Sequence, residues 1–216
     1  MLPRRTQGQS GFRRSHRPGK RGGRAPSGKI RDLNTREAVA LIAGAVPAPV
    51  GIWADVGAGD GTFTRALVEL LGPGSQIYAV DRDARAVAAL ARWASKQAAN
   101  VVPVTADFTH PFDLPGLEQP SLDGMLFANA LHFVTDAGPV LARLTKWLRP
   151  GGRVVFVEYD RRGANRWVPY PIPAAQLPAL AASAGLSAPA ITATRPSSFG
   201  GVLYVAAADR LPDPHP

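Results

Sequence analysis

Apolar residues recur along this chain in short blocks, punctuated by glycine, proline and acidic residues. Asn34 followed by Glu37 has the spacing of a reciprocal helix cap, and Ala38, Leu41, Ile42 and Val46 then lay out one apolar helical face. Pro47 and Pro49 should end that helix. Gly51 to Val56 then reads as a buried strand and Gly61 to Leu71 as a helix. Gly72-Pro73-Gly74 turns the chain into a second strand, Gln76 to Val80, and Asp83 caps a helix running to about Ala99. Val101 to Thr105 and Leu122 to Ala128 are the third and fourth strands. A helical stretch from Ala137 to Leu148 is stopped by Pro150-Gly151-Gly152, and Val154 to Glu158 is the fifth strand.

Strand and helix alternating through short links predict a parallel sheet with helices on both faces. After the fifth strand the pattern changes. A helix from about Pro173 to Ala184 ends at Gly185, and two β-like runs follow, Ala190 to Thr194 and Gly201 to Ala207. The link between them is too short for a crossover, so they form a hairpin and one of the two runs antiparallel to the rest. The expected architecture is α/β, a doubly wound, mostly parallel seven-stranded sheet closed by a C-terminal antiparallel hairpin.

Charge changes the picture only at one end. The 216-residue chain carries a net charge of +9, but Met1 to Arg31 holds ten basic residues and no acid, leaving fifteen basic against sixteen acidic beyond it. Beyond Met1, residues 1–29 contain only Leu2 and Phe12 as large apolar side chains and are expected to be disordered, as are residues 211–216. That leaves one domain over residues 30–210. Ten positive charges over residues 1–31 offer a site for RNA or another polyanion. The absence of cysteine excludes disulfides, thiolate nucleophiles and zinc knuckles. The most apolar window, Ala38 to Ala54, is short of a membrane span and broken by Pro47 and Pro49, and the basic tail has no apolar stretch of signal-peptide length, so a cytoplasmic protein is expected.

The candidate chemistry sits at the strand ends. The first strand runs into Asp55-Val56-Gly57-Ala58-Gly59-Asp60-Gly61, where glycines admit close backbone approach and the next helix offers N–H groups. Thr62 stands where the dinucleotide fingerprint G-x-G-x-x-G places its third glycine, which disfavours a nicotinamide dehydrogenase. Asp81 ends the second strand, placed to accept hydrogen bonds from ribose hydroxyls. Asp107 and Phe108 follow the third strand, suited to an adenine amino group and ring. In an open parallel sheet, ligands bind at this edge.

With these residues in view, the chain resembles the class I S-adenosylmethionine (SAM) dependent methyltransferases, whose fold is Rossmann-like. WADVGAGDGTFT looks like the first family motif, YAVDRD the second and TADF the third. LDGMLFANALHFV and LTKWLRPGGRVVFVEYD resemble the fourth and fifth strands of the family, and QLPALAASAGL the helix before its closing hairpin. The resemblance covers roughly residues 33–207. It implies SAM as cofactor. Gly57 and Gly59, with Gly61 in the same loop, would contact the methionine moiety through the backbone, and Asp55 would hold that loop. Asp81 would take the ribose, Arg82 would lie against adenine, Asp107 and Phe108 would hold the adenine edge, and Asn129 would face the methionine moiety and the transferred methyl. Arg36 would either reach the methionine carboxylate or face solvent.

Methyl transfer by direct displacement needs a base only if the acceptor must lose a proton. His132, three residues beyond Asn129, is the candidate, with a packing histidine as the alternative. No metal-binding constellation is visible, and none is expected. Tyr159, Arg162, Trp167 and Tyr170 follow the fifth strand as candidate acceptor contacts, with a solvated surface cluster as the alternative. The expected activity is a SAM-dependent methyltransferase acting on a small molecule. The alternatives are an RNA- or ribosome-associated methyltransferase docked through the basic tail, or a non-catalytic SAM-binding protein.

Overall fold

The computed structural model of the protein describes residues 33–47, 50–161, 163–197 and 201–213. The basic tail, Arg162 and the last three residues lie outside them. A seven-stranded sheet forms the centre, in the order β3-β2-β1-β4-β5-β7-β6. Strands β1 (Ile52–Val56), β2 (Gln76–Asp81), β3 (Val101–Thr105), β4 (Leu122–Ala128) and β5 (Leu148–Asp160) pair in parallel. Strand β7 (Val202–Asp209) enters antiparallel between β5 and β6 (Ala190–Pro196), so β7 is the strand that reverses direction.

Both faces of the sheet are covered, as the continuous apolar runs require. Alternate residues of each strand serve opposite faces. On one face Trp53, Leu126, Val155 and Val157 pack with Leu41 and Ile42 of α1 (Thr35–Ile42) and Leu67 of α2 (Thr62–Leu71). On the other, Met125, Phe127, Val154 and Phe156 pack with Leu141 of α4 (Ala137–Leu144) and Leu177 of α5 (Leu177–Ser183). Helix α3 (Ala84–Gln97) contributes Leu90 to a smaller cluster with Ala58 and Ala79.

Several local readings survive in the backbone and others shift: α4 ends at Leu144 rather than Leu148, passing into a 3-10 turn, and α5 covers Leu177–Ser183 rather than about Pro173 to Ala184. Asn34 and Glu37 close a capping box, each donating its N–H to the other's side chain at 3.0 Å. Asp83 caps α3 by accepting from the N–H of Arg85 at 2.9 Å. Helix α1 stops at Ile42, short of Val46, where Gly44 and the approaching Pro47 disfavour further turns. Strand β5 is much longer than the expected Val154–Glu158. It starts at Leu148, paired with Leu122, and the Pro-Gly-Gly segment is absorbed as an irregularity before Arg153 pairs with Gly124. Among the described residues, no helix is long and apolar enough to cross a membrane.

Candidate functional site

The order 3-2-1-4-5 places a topological switch between β1 and β4, where the connections leave toward opposite sides and a crevice opens. A cavity of about 670 Å³ occupies that edge and is lined from the ends of all seven strands. It brings together Asp55, Gly57, Gly59, Asp81, Arg82, Asp107, Phe108, Asn129 and Tyr159 of the expected residues.

The N–H groups of the glycine turn are directed into the protein. The N–H groups of Gly57 and Ala58 both donate to Val80 O, at 2.8 and 3.0 Å, and that of Gly59 donates to Asp81 Oδ2 at 2.8 Å. Gly61 N–H donates to Ala58 O, and Thr62 N–H to Asp60 Oδ1. Five donors of this turn are therefore engaged inside the protein. What the turn offers a ligand is the absence of side chains. Gly57 has φ +81°, and a Cβ there would lie 2.6 Å from the Cβ of Ala130. Gly61 does not line the cavity; at φ +84° it packs the turn on α3, where a Cβ would meet Leu90 Cδ1 at 2.5 Å.

The acids at the tips are held by short local bonds. Asp81 accepts from Gly59 N–H with Oδ2 and from Asp83 N–H with Oδ1, both at 2.8 Å. Each oxygen keeps room for a second donor from the cavity. Asp107 Oδ1 accepts from the N–H and hydroxyl of Thr109 at 2.9 and 2.7 Å, and these bonds, ahead of His110 and Arg82, hold its carboxyl below the usual range. Phe108 meets Phe127 edge-on at 6.4 Å between ring centres, and its carbonyl accepts from Arg143 Nη2 at 2.7 Å, which ties the β3 tip to α4.

Two polar atoms on the cavity wall have no hydrogen-bond partner among the described residues. Asp55 is fully buried, and its Oδ2 accepts from Thr64 Oγ1 at 2.6 Å while Oδ1 accepts from nothing. Burial, opposed by the Thr64 bonds and reinforced by the charges of Asp81 and Asp60, raises its pKa to about 7. Asn129, at φ +53°, donates its N–H to Val157 O at 2.8 Å, and its buried Oδ1 is likewise unpaired. Buried acceptors without donors are uncommon and costly. Both line the same cavity, so its wall has two acceptors able to take N–H or O–H donors.

Other expected residues stand elsewhere. His132 is not part of the lining. It is 2% exposed, and its Nδ1 donates to Glu158 Oε2 at 2.6 Å. Glu158 Oε1 also accepts from the N–H groups of Leu131 and His132 at 3.1 and 3.3 Å. The ring is thus held behind the wall by Glu158, and the packing alternative describes its surroundings. Trp167 and Tyr170 lie outside the cavity, Trp167 under the guanidinium of Arg166 at 4.5 Å and Tyr170 donating its N–H to His132 O at 3.0 Å. Arg36 is exposed, and α1 presents Glu37 to the cavity instead. Arg162 lies outside the described residues. Sequence reasoning missed Glu158, Phe133, Leu203 and Arg195, the last three of which line the cavity. Glu158 had one visible signal, an acid inside the apolar run VVFVE.

Comparison with known proteins adds independent support. A family model described as a methyltransferase domain matches residues 54–154. Ribosomal RNA small subunit methyltransferase H of Paracidovorax citrulli is 46% identical over 53 residues, covering 24% of this chain and 17% of that protein. The biotin biosynthesis bifunctional protein BioCD of Bordetella avium is 32% identical over 119 residues, covering 52% and 23% respectively. The chain thus spans about a fifth of the length of these curated relatives. Among solved structures, the 1,6-didemethyltoxoflavin-N1-methyltransferase of Burkholderia thailandensis, with S-adenosylhomocysteine bound, superposes with a TM-score of 0.65 at 24% identity, over 82% of this chain and 78% of that one. A SAM-dependent methyltransferase of Aquifex aeolicus gives 0.56 at 16% identity, over 74% and 80%. Residues 54–154 thus match a methyltransferase domain, and the sheet around them has the fold of these solved methyltransferases.

Proposed function

We propose that the protein is a SAM-dependent methyltransferase acting on a small-molecule acceptor. The observation that carries the cofactor half is the pair of unpaired oxygens, Asp55 Oδ1 and Asn129 Oδ1, on one wall of the switch-point cavity. An amino-acid ammonium supplies the donors both lack, and a carboxylate beside it gains a charge-assisted bond. Asp81 accepts from the ribose hydroxyls, and Asp107 with Phe108 meets the adenine. SAM brings a methyl group already activated by the sulfonium charge. The protein aligns donor and acceptor and keeps water out, and His132 is assigned no proton transfer.

The acceptor reading rests on the far half of the cavity, where Phe133, Val134, Tyr159 and Leu203 form an apolar wall of small-molecule scale. The short match to an rRNA methyltransferase, together with the basic residues 1–31, supports RNA as the second reading. Against it, the domain beyond Arg31 has no basic excess. Transfer of labelled methyl from SAM into a cell extract fractionated into RNA, protein, lipid and metabolites tests the two. Label is expected among the metabolites; label confined to RNA overturns the first reading.

A further inference from the structure

The C-terminal hairpin places a cation in the acceptor half of the cavity. Register pairs Tyr159 of β5 with Leu203 of β7, and Leu203 with Arg195 of β6. Residues directly opposite across neighbouring strands point to one face, so these three form a row, and all three line the cavity. The row spans two interstrand steps, about 10 Å. Phe133 stands beside it, 55% exposed although it is a large aromatic side chain lining the cavity.

Arg195 is half-buried, and among the described residues it forms no ion pair. Each acid near this end already accepts at least one hydrogen bond from a partner other than Arg195. Glu37 Oε2 accepts from Asn34 N–H, Asp160 Oδ1 accepts from Ala174 N–H, and Glu158 holds His132. Arg82, at the other end of the cavity, differs in having Asp107 near enough to influence its carboxyl. From Asp81 on β2 to Arg195 on β6 the sheet makes five interstrand steps, roughly 24 Å at about 4.8 Å each. An adenosine over β1–β3 and an amino acid over β1 and β4 leave the tips of β5, β7 and β6 uncovered.

We infer that Arg195 recognises a carboxylate on the acceptor, and that the acceptor is a small apolar or aromatic acid whose body lies against Phe133, Tyr159 and Leu203. A guanidinium fork matches a carboxylate in a bidentate pair, and a partly desolvated setting strengthens that pair. The inference rests on the methyltransferase reading, because it assigns the space the cofactor leaves.

The test uses the full chain. S-adenosylhomocysteine is first titrated into wild-type protein and Arg195→Gln. Benzoate, phenylacetate and 3-phenylpropionate, each beside its primary amide, and phenyl phosphate are then titrated into the loaded proteins by ligand-observed NMR. At least one carboxylate is expected to bind wild type about tenfold or more tighter than its amide, and Arg195→Gln should erase that preference with S-adenosylhomocysteine affinity unchanged. The inference is overturned if no carboxylate outbinds its amide, if the preference survives in Arg195→Gln, if phenyl phosphate outbinds every carboxylate, or if Arg195→Gln weakens S-adenosylhomocysteine itself. If wild type fails to bind S-adenosylhomocysteine, the methyltransferase reading fails first and this inference with it.

Discussion

The tips of β1 and β5 each bury a carboxylate completely, and they treat it in opposite ways. At the β5 tip, Glu158 accepts three hydrogen bonds, two from the backbone beyond β4 and one from His132. At the β1 tip, Asp55 keeps one oxygen bonded to Thr64 and leaves the other bare toward the cavity. A buried carboxylate saturated by its own chain is part of the frame. One left half-satisfied beside a cavity marks a place for a ligand. Glu158 holds the Asn129–Phe133 segment in place, and under the proposed function Asp55 is the carboxylate that binds.

Removing the saturated carboxylate has the larger expected effect on stability. Glu158→Ala strands His132 and two backbone N–H groups and opens a cavity, so roughly 5 kcal/mol of unfolding free energy should be lost. Urea unfolding measures it, and a loss below about 1 kcal/mol would put Glu158 outside the frame. Asp55 gives the opposite signature. Its pKa in the folded protein is raised from 3.8 to about 7, so the folded state holds the extra proton between those values and stability falls as pH rises through the interval. Above it the contribution amounts to roughly 4 kcal/mol of destabilisation, from 1.36 kcal/mol per unit. Urea unfolding of unliganded protein between pH 4 and 8 should show that decline, and Asp55→Asn should flatten it. An equal decline in Asp55→Asn would assign the effect to another group. The smallest effect belongs to the surface beyond β5: Trp167→Ala should change S-adenosylhomocysteine affinity less than about twofold in calorimetry, in line with surface substitutions elsewhere.

The residues that carry local rules were legible. Asn34 with Glu37 and Asp83 announce helix starts through their own side chains, and Asp55, Asp81, Asp107 and Asn129 end strands whose apolar runs are unmistakable. What stayed hidden depends on contacts between distant segments. The Pro-Gly-Gly segment reads as a stop, yet pairing with Leu122 on one side and the exchange of bonds between Gly151, Gly152 and Arg210 on the other carry it into β5. The turn's N–H groups look available until Val80 and Asp81 are brought beside them. His132 looks like a base because nothing local reveals Glu158, 26 residues away, beneath it. Arg195 enters the cavity only through the register of β6 on β7 and β7 on β5, which no periodicity specifies.

The central claim is that Asp55 awaits a ligand's ammonium, and calorimetric titration of S-adenosylhomocysteine at pH 6 and pH 8 tests it most directly. Binding to the ionised form of Asp55 should be about tenfold tighter at pH 8, with proton release at pH 6, for a group titrating at about 7. Asp55→Asn should bind more weakly and lose the pH dependence. Absence of binding, binding of NAD in its place, or the same pH dependence in Asp55→Asn would contradict the account.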